Sequence, residues 1–535
     1  MSKPERLELR WVLVWAILIV MLASVPYIWG AVITPPGYSF TGLTHNIDDG
    51  AVYLSWMRQA ADGHFFIRNL FTNEPQPVVQ FNVLFLKMGW FAAFTHLPLI
   101  AVFHLFRIVL GIALILGIWQ FSKLFLDDER QRRLLVPLVG LSAGIGWLIP
   151  NVKAMEGSVD VWQPEAITFL SIYLNPLFLA ALLLMLGAFY CLELARRHGR
   201  ARYAALAGLC LLVLGNVHTY DVLTVACVWT AYLIYLRFEI SDFRLILRTI
   251  GLSAIAAAIA LPSIAYQFWV YSIDPIYRAR VSTPILSPPI WSFFEGYGLI
   301  LIGAIVGAVM WVVARRGGDS RRSSLFALHS PLLLVWAVVG FAIPYAPIAQ
   351  QRKLVMGLHI PLCILCAYAL SRLLSRLSVS ASRIVLVAVL VVVAVSNARF
   401  VGNDMKLLAE GKTVTHYTPY LQEQELAAMR YLRAHARPSD TIFAPPTFAL
   451  FVPALTGRQV YYGHWSETPN YADKIARWAA LADPNTSDDC WGYLVIDAIK
   501  AGYYVSENRA TDPRPSLKPW FVKTFESGDV RVYRL

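Results

Sequence analysis

The chain has 535 residues, of which 57% are hydrophobic and only 15% charged, and its mean hydropathy is +0.54. A soluble globular chain carries roughly a quarter charged residues, so that class is excluded. The formal net charge of +12 is spread in small basic clusters between apolar blocks. This pattern excludes a nucleic-acid-binding surface and reads as topogenic charge.

The apolar blocks match the length needed to cross ~30 Å of hydrocarbon. They predict about eleven spans, at 11–33, 100–125, 134–150, 174–195, 202–217, 221–237, 247–271, 293–314, 330–347, 354–372 and 382–399. The first follows Lys3, Arg6 and Arg10, is too long for a signal-peptide core, and reads as a retained signal anchor with a cytoplasmic N-terminus. The block 82–97 contains Lys87, ends at His96-Leu97-Pro98, and is short for a span; it is placed as an interfacial helix. With that choice the clusters around Arg130, Arg196, Arg244, Arg315 with Arg321 and Arg322, and Arg372 all face the cytoplasm.

Four segments then face outward: a long first loop 34–80, the loops 151–173 and 272–292, and the short 348–353. The last span also delivers 401–535 to the outer side. The expected division is a transmembrane domain 1–400 and an extracytoplasmic α/β domain 401–535. The latter shows a helix at 421–436, strands at Thr441–Ala444 and Gln459–Tyr462, a helix near 471–481, an undivided segment 491–507, and a closing hairpin of Phe521–Phe525 and Val530–Tyr533.

Of the six cysteines, Cys363 and Cys366 form a CxxC only in letter count, within an apolar helix, and read as packing residues; Cys490 stands alone. No disulfide framework or zinc spacing is present. Gly303-x-x-x-Gly307 packs helices either within or between chains. Span interiors are nearly free of charge, which argues against an ion-coupled carrier.

Polar residues gather at the outer ends of spans. In the first loop, Asp48-Asp49 precedes a helix-like run 51–61; the pair reads either as a helix cap or as an acid aimed at a reacting hydroxyl or a bound cation. Tyr53, His64 and Glu74 share that loop. Glu156, Asp160 and Glu165 in the second loop read as solvated acids. His218-Thr219-Tyr220-Asp221 lies at an outer span junction, with a tight turn and an active-site rim as alternatives. Asp274, Arg278 and Arg280 occupy the third loop. Arg352-Lys353 opens a span from outside, against the positive-inside trend, and suits a phosphate at headgroup level. Tyr461-Tyr-Gly-His464-Trp465-Ser-Glu467 reads either as a sugar-binding stretch or as a loop packed on the membrane domain.

This assembly resembles the GT-C superfamily of membrane glycosyltransferases, in particular the branch of protein O-mannosyltransferases and aminoarabinose transferases. The resemblance rests on the order of parts: a signal anchor, an outer loop with Asp48-Asp49, Tyr53 and Asp62-Gly63-His64, the interfacial stretch Pro77 to Leu97, Arg107 opening a span, and an outer α/β domain. It implies transfer of a sugar from a polyprenyl-phosphate carrier to an extracytoplasmic lipid, glycan or protein, with inversion at the anomeric carbon. It further implies that Asp48 or Asp49 acts as general base or binds a divalent cation (Mg or Mn), and that Arg352 or Lys353 holds the donor phosphate. Tyr53, His64, Glu74, His218, Asp221, Arg278 and His464 would form the rim. Relatives commonly carry Asp-Glu where this chain has Asp-Asp, which leaves open which acid reacts. The expected setting is the bacterial inner membrane and its envelope, with membrane lipids as partners and no nucleic acid. The competing expectations are an oligosaccharyltransferase or polymer ligase using a lipid-pyrophosphate donor, and a non-enzymatic lipid-binding scaffold.

Overall fold

The computed structural model describes residues 3–149, 157–239, 242–316, 331–415, 417–482, 502–506 and 521–535. Glu156, Arg321, Arg322, Cys490 and most of the 491–507 segment lie outside the described residues. Among the described residues, eight helices are long and apolar enough to cross a membrane: Glu5–Val32, Leu99–Ser122, Pro176–His198, Tyr220–Glu239, Phe243–Ile273, Ile290–Ala314, Gln351–Leu374 and Val379–Ala409. These coincide with eight of the expected spans. The other three fall on shorter helices, Glu129–Leu141, Ala201–Val217 and Leu332–Ala342. The expected span 134–150 stops early because the chain turns at Ser142 and runs through Gly144 and Gly146. A Cβ at Gly144 would lie 1.9 Å from the Glu295 carbonyl oxygen, so only glycine allows this approach. The stretch expected at the interface forms a helix Val83–Thr95. Its 13 residues reach about 20 Å at 1.5 Å per residue, less than a bilayer core.

The chain divides into two compact units. The first comprises Met1–Val25, His104–Phe268 and Pro284–Asn403. Its central helix is His359–Leu374, and 94% of the apolar window spanning Gln351–Leu374 is buried. The helix Ile290–Arg316 lies directly on it: a Cβ at Gly303 would come within 2.4 Å of Cys366 Sγ, and one at Gly307 within 2.2 Å of the Leu365 carbonyl oxygen. The small-residue pair therefore packs within the chain, and Cys363 and Cys366 are buried packing residues. Arg107 and Glu193, both buried in this unit, are hydrogen-bonded. Arg107 donates to Ser24 Oγ at 2.9 Å and to the Ile172 carbonyl at 3.1 Å. Glu193 accepts from Arg196, Arg197 and Tyr232. Asp160, expected in solvent, is fully buried; it accepts the Gly144 and Gly146 amides at 2.9 and 3.2 Å and the Ser158 hydroxyl. Glu165 is buried as well. Both readings as solvated acids are thus corrected: backbone donors of the 144–146 turn, invisible in the sequence, take the place of water around Asp160.

The second unit comprises Pro26–Phe103, Trp269–Thr283 and Asp404–Leu535. The first loop thus clusters with the C-terminal region, a grouping that the linear division at residue 400 does not describe. Strand β1 (Tyr38–Phe40) pairs antiparallel with β2 (Tyr420–Gln422). Gln422 then caps the helix Glu423–His435 in a capping box with Glu425, in agreement with the expected helix. The remaining strands are β3 (Thr441–Phe443), β4 (Gln459–Val460), β5 (Gly502–Ser506), β6 (Val522–Ser527) and β7 (Val530–Arg534). They form one sheet in the order β4-β3-β5-β7-β6, parallel at β4-β3-β5 and antiparallel from β5 onward. The α/β domain and its closing hairpin are as expected. The helix Pro446–Thr456 was not foreseen; nearly all its residues are buried, so it lacks the amphipathic period that marks a helix in sequence. Phe443, Tyr461, Tyr462, Tyr504, Phe521 and Tyr533 form the core beside the sheet.

Candidate active site around Asp48

The first-loop helix Ile47–Ala61 begins after Asn46. Asn46, not an aspartate, occupies the cap position; Asp48 and Asp49 lie in the first turn, where the helix dipole favours negative charge. The cap reading of the pair is therefore corrected. The helix is held by close packing on Val83–Thr95. A Cβ on Gly89 would come within 2.5 Å of Ala60 Cβ and of the Met57 carbonyl oxygen, and Tyr53 stacks on Phe85 at 4.9 Å between centroids. The expected rim residue Tyr53 thus belongs to this helix–helix contact.

The two acids differ in environment. Asp48 is 5% exposed. Its Oδ2 accepts the Trp465 indole N–H at 3.1 Å, while its Oδ1 is buried and meets no hydrogen-bond partner. Asp49 is more open, and its Oδ2 accepts from the Asn46 side chain at 2.6 Å. Burial, and then the Asp49 charge, raise the Asp48 carboxyl above its ordinary value, and His464 opposes them.

His464 is fully buried beside the pair. Its Nδ1 accepts the Ser466 amide at 3.1 Å and the Glu467 amide at 3.3 Å. An accepting Nδ1 assigns the proton to Nε2, which stands 3.4 Å from Asp49 Oδ1 and 3.7 Å from Asp48 Oδ2. Burial disfavours the charged imidazole, but Asp49, Asp48 and Glu467 outweigh it and hold His464 above its ordinary value. The whole loop is pinned. Thr468 Oγ1 donates to the Phe71 carbonyl at 2.7 Å, Asn69 donates to Glu467, and Arg280 pairs with Glu467 at 3.0 Å while lying over the Trp56 and Tyr277 rings.

Other sequence candidates in this unit have structural duties. Glu74 accepts from Lys474 at 2.8 Å. Arg278 donates to the carbonyls of Tyr271 and Ser272 at the end of a long helix. Asp274 caps the helix Pro275–Ser282 and accepts from Gln80. His64 is exposed. Sequence reasoning missed Arg280 as the clamp on Glu467 and Asp404 as the partner of His45 at 3.1 Å; Glu467 standing in the His464-Trp465 stretch was the available signal.

The first unit holds the remaining candidates. His218 Nδ1 meets Asp221 Oδ2 at 3.0 Å, both buried, at the turn into Tyr220–Glu239. Lys353 Nζ lies 4.9 Å above the Tyr220 ring, and Arg352 lies 5.3 Å above Trp162. The Arg352 Nε is buried and has no hydrogen-bond partner. Among the described residues no three His, Cys, Asp or Glu side chains converge as a metal centre. The two carboxylates could offer oxygen ligands to a divalent cation that keeps most of its waters, as Mg²⁺ commonly does.

No family model matches the sequence, and no curated protein matches it. Solved structures do. The Archaeoglobus fulgidus oligosaccharyltransferase tethered with an acceptor peptide superimposes with a TM-score of 0.51 at 13% identity, covering 92% of this chain and 69% of that one. The same enzyme in complex with Zn and sulfate gives 0.50 at 12% identity, covering 91% and 68%. The mycobacterial arabinofuranosyltransferase AftD gives 0.53 at 16% identity, covering all of this chain and 42% of that one. The chain has the GT-C fold of these membrane glycosyltransferases.

Proposed function

We propose that the chain is a GT-C membrane glycosyltransferase that moves a sugar from a polyprenyl-phosphate-linked donor to a hydroxyl of a lipid, glycan or protein outside the cytoplasm. The observation that carries the reading is Asp48: a buried carboxylate with one oxygen fixed by an indole N–H and the other left without a partner. An unsatisfied buried oxygen costs about 1–3 kcal/mol, and an acceptor hydroxyl would satisfy it. In that pose Asp48 Oδ1 takes the proton as the acceptor oxygen attacks the anomeric carbon. Asp49, which accepts from Asn46 and has His464 Nε2 3.4 Å from its other oxygen, is the supporting acid.

The leaving phosphate gains charge as the glycosidic bond breaks, and fixed cations stabilise it. Arg352 and Lys353 are assigned that part, on the strength of the unpartnered Arg352 Nε and the aromatic faces that hold both side chains. The setting is an inner membrane, with the first loop and the C-terminal domain on the outer face. A lipid-pyrophosphate donor is the second reading, favoured by the likeness to the oligosaccharyltransferase fold.

The test is transfer in proteoliposomes from polyprenyl-phosphate and polyprenyl-pyrophosphate sugars, comparing the wild type with Asp48→Asn. Transfer from the monophosphate that collapses in the variant supports the proposal; equal rates in both proteins remove it.

A further inference from the structure

Trp465 is an odd surface residue. Its backbone is held between buried His464 and pinned Glu467, and its indole N–H is bound to Asp48, yet the residue is 47% exposed. The imidazole of His464 lies near-parallel to the indole with centroids 5.9 Å apart. Leaving half of a large aromatic side chain in water forgoes the stabilisation that its burial would give. Among the other exposed aromatics in this unit, Trp90, Phe91 and Phe94 share the apolar helix Val83–Thr95, Trp269 and Tyr271 lie on the apolar helix Phe243–Ile273, and Phe65 and Phe66 pack on one another at 5.0 Å. Trp465 instead stands among His464, Ser466, Glu467 and the acid pair, a polar setting.

We propose that Trp465 is a stacking platform for a sugar ring, placed so that a hydroxyl on that ring reaches Asp48 Oδ1. A pyranose or furanose presents an apolar C–H face that packs on an aromatic ring, and hydroxyls at its edge that seek acceptors. The indole offers both counterparts at once: its face is open, and its N–H fixes the carboxylate at its edge. His464, locked by the 466 and 467 amides, keeps the ring plane constant. The ring could be that of the acceptor or of the donor sugar; both present the same chemistry. The inference rests on the assignment of Asp48 under the proposed function only for the direction of the hydroxyl.

Saturation-transfer NMR on the full chain in nanodiscs tests this without requiring turnover. One arm uses methyl glycosides of glucose, mannose, galactose and arabinofuranose; the other uses a short-chain polyprenyl-phosphate sugar, following the sugar protons. Saturation of C–H protons in at least one arm is expected, lost in Trp465→Ala and kept in Trp465→Phe, which retains a face without the N–H. The arm that responds names the source. Saturation in neither arm, or equal saturation in Trp465→Ala, overturns the platform. Asp48→Asn should keep the saturation while losing transfer, so a failed platform and a failed base are told apart.

Discussion

Trp465 and Asp48 stand 417 residues apart in the chain, and the indole N–H of one donates to the carboxylate of the other at 3.1 Å. The bond fixes one oxygen of Asp48, while the other has no hydrogen-bond partner. The two adjacent acids therefore stand in unequal surroundings.

The first prediction follows from that inequality. Asp48→Asn should lower the rate of transfer by about 10²–10⁴, the range of a lost general base. Asp49→Asn should cost less, since it removes a neighbour of the base and not the base. Steady-state transfer rates of both variants decide this. A larger loss in Asp49→Asn would reverse the assignment.

The acid limb of the pH–rate profile is the second prediction. Burial and the Asp49 charge raise the Asp48 carboxyl, and the base acts only as the anion. Rate should therefore fall, with falling pH, at values above the ordinary carboxylate range. Asp49→Asn removes the like charge and should move the limb to lower pH. Stability carries the opposite sign. A carboxyl whose pKa is raised on folding binds its proton more tightly when folded, so its contribution is lost as pH rises from the ordinary value through the raised one. Asp48→Asn, which cannot ionise, should melt higher than the wild type at neutral pH. An unmoved limb in Asp49→Asn would show that the acids do not interact.

What the sequence disclosed follows a physical divide. Spans were legible because an uncharged apolar run of bilayer length has few other uses, and the helix at 423–435 was legible from its local pattern. The acid pair, His464 and the cations at 352–353 stood out in the sequence as candidates. Their partners were not. No local signal says that Trp465 meets Asp48, that Arg280 reaches Glu467, or that the 144–146 turn offers two amides to Asp160. Those contacts join distant segments, and a single sequence carries no period that marks them. The helix Pro446–Thr456 was hidden for the reverse reason: buried on nearly all sides, it shows no polar face.

The Arg280–Glu467 clamp supports the third prediction. The pair is 24% and 9% exposed, and Arg280 also covers Trp56 and Tyr277. Arg280→Ala leaves Glu467 nearly buried with Asn69 as its remaining side-chain donor. A cost of about 2 kcal/mol is expected, below that of a fully buried pair because solvent screens Arg280. A lower melting temperature and faster proteolysis near 463–470 would register it. Unchanged proteolysis would show that the loop holds its place without the clamp.

The last prediction separates the two cations. Arg352 carries a buried Nε–H without a partner, over the face of Trp162. An ammonium cannot reproduce a planar fork stacked on an indole, so Arg352→Lys should behave nearly as badly as Arg352→Ala. Lys353 lies over Tyr220 as a compact point charge, so Lys353→Arg should keep much of its function. If both hold the leaving phosphate, loss of either should lower kcat by about 10²–10³, as for other preorganised donors on developing charge. The KM for a polyprenyl-phosphate donor should rise as well, and the KM for the acceptor should not. Replacing either cation should also weaken inhibition by free polyprenyl phosphate, a product that needs no acceptor to bind. A rise confined to the acceptor KM, with product inhibition intact, would take the phosphate away from this pair.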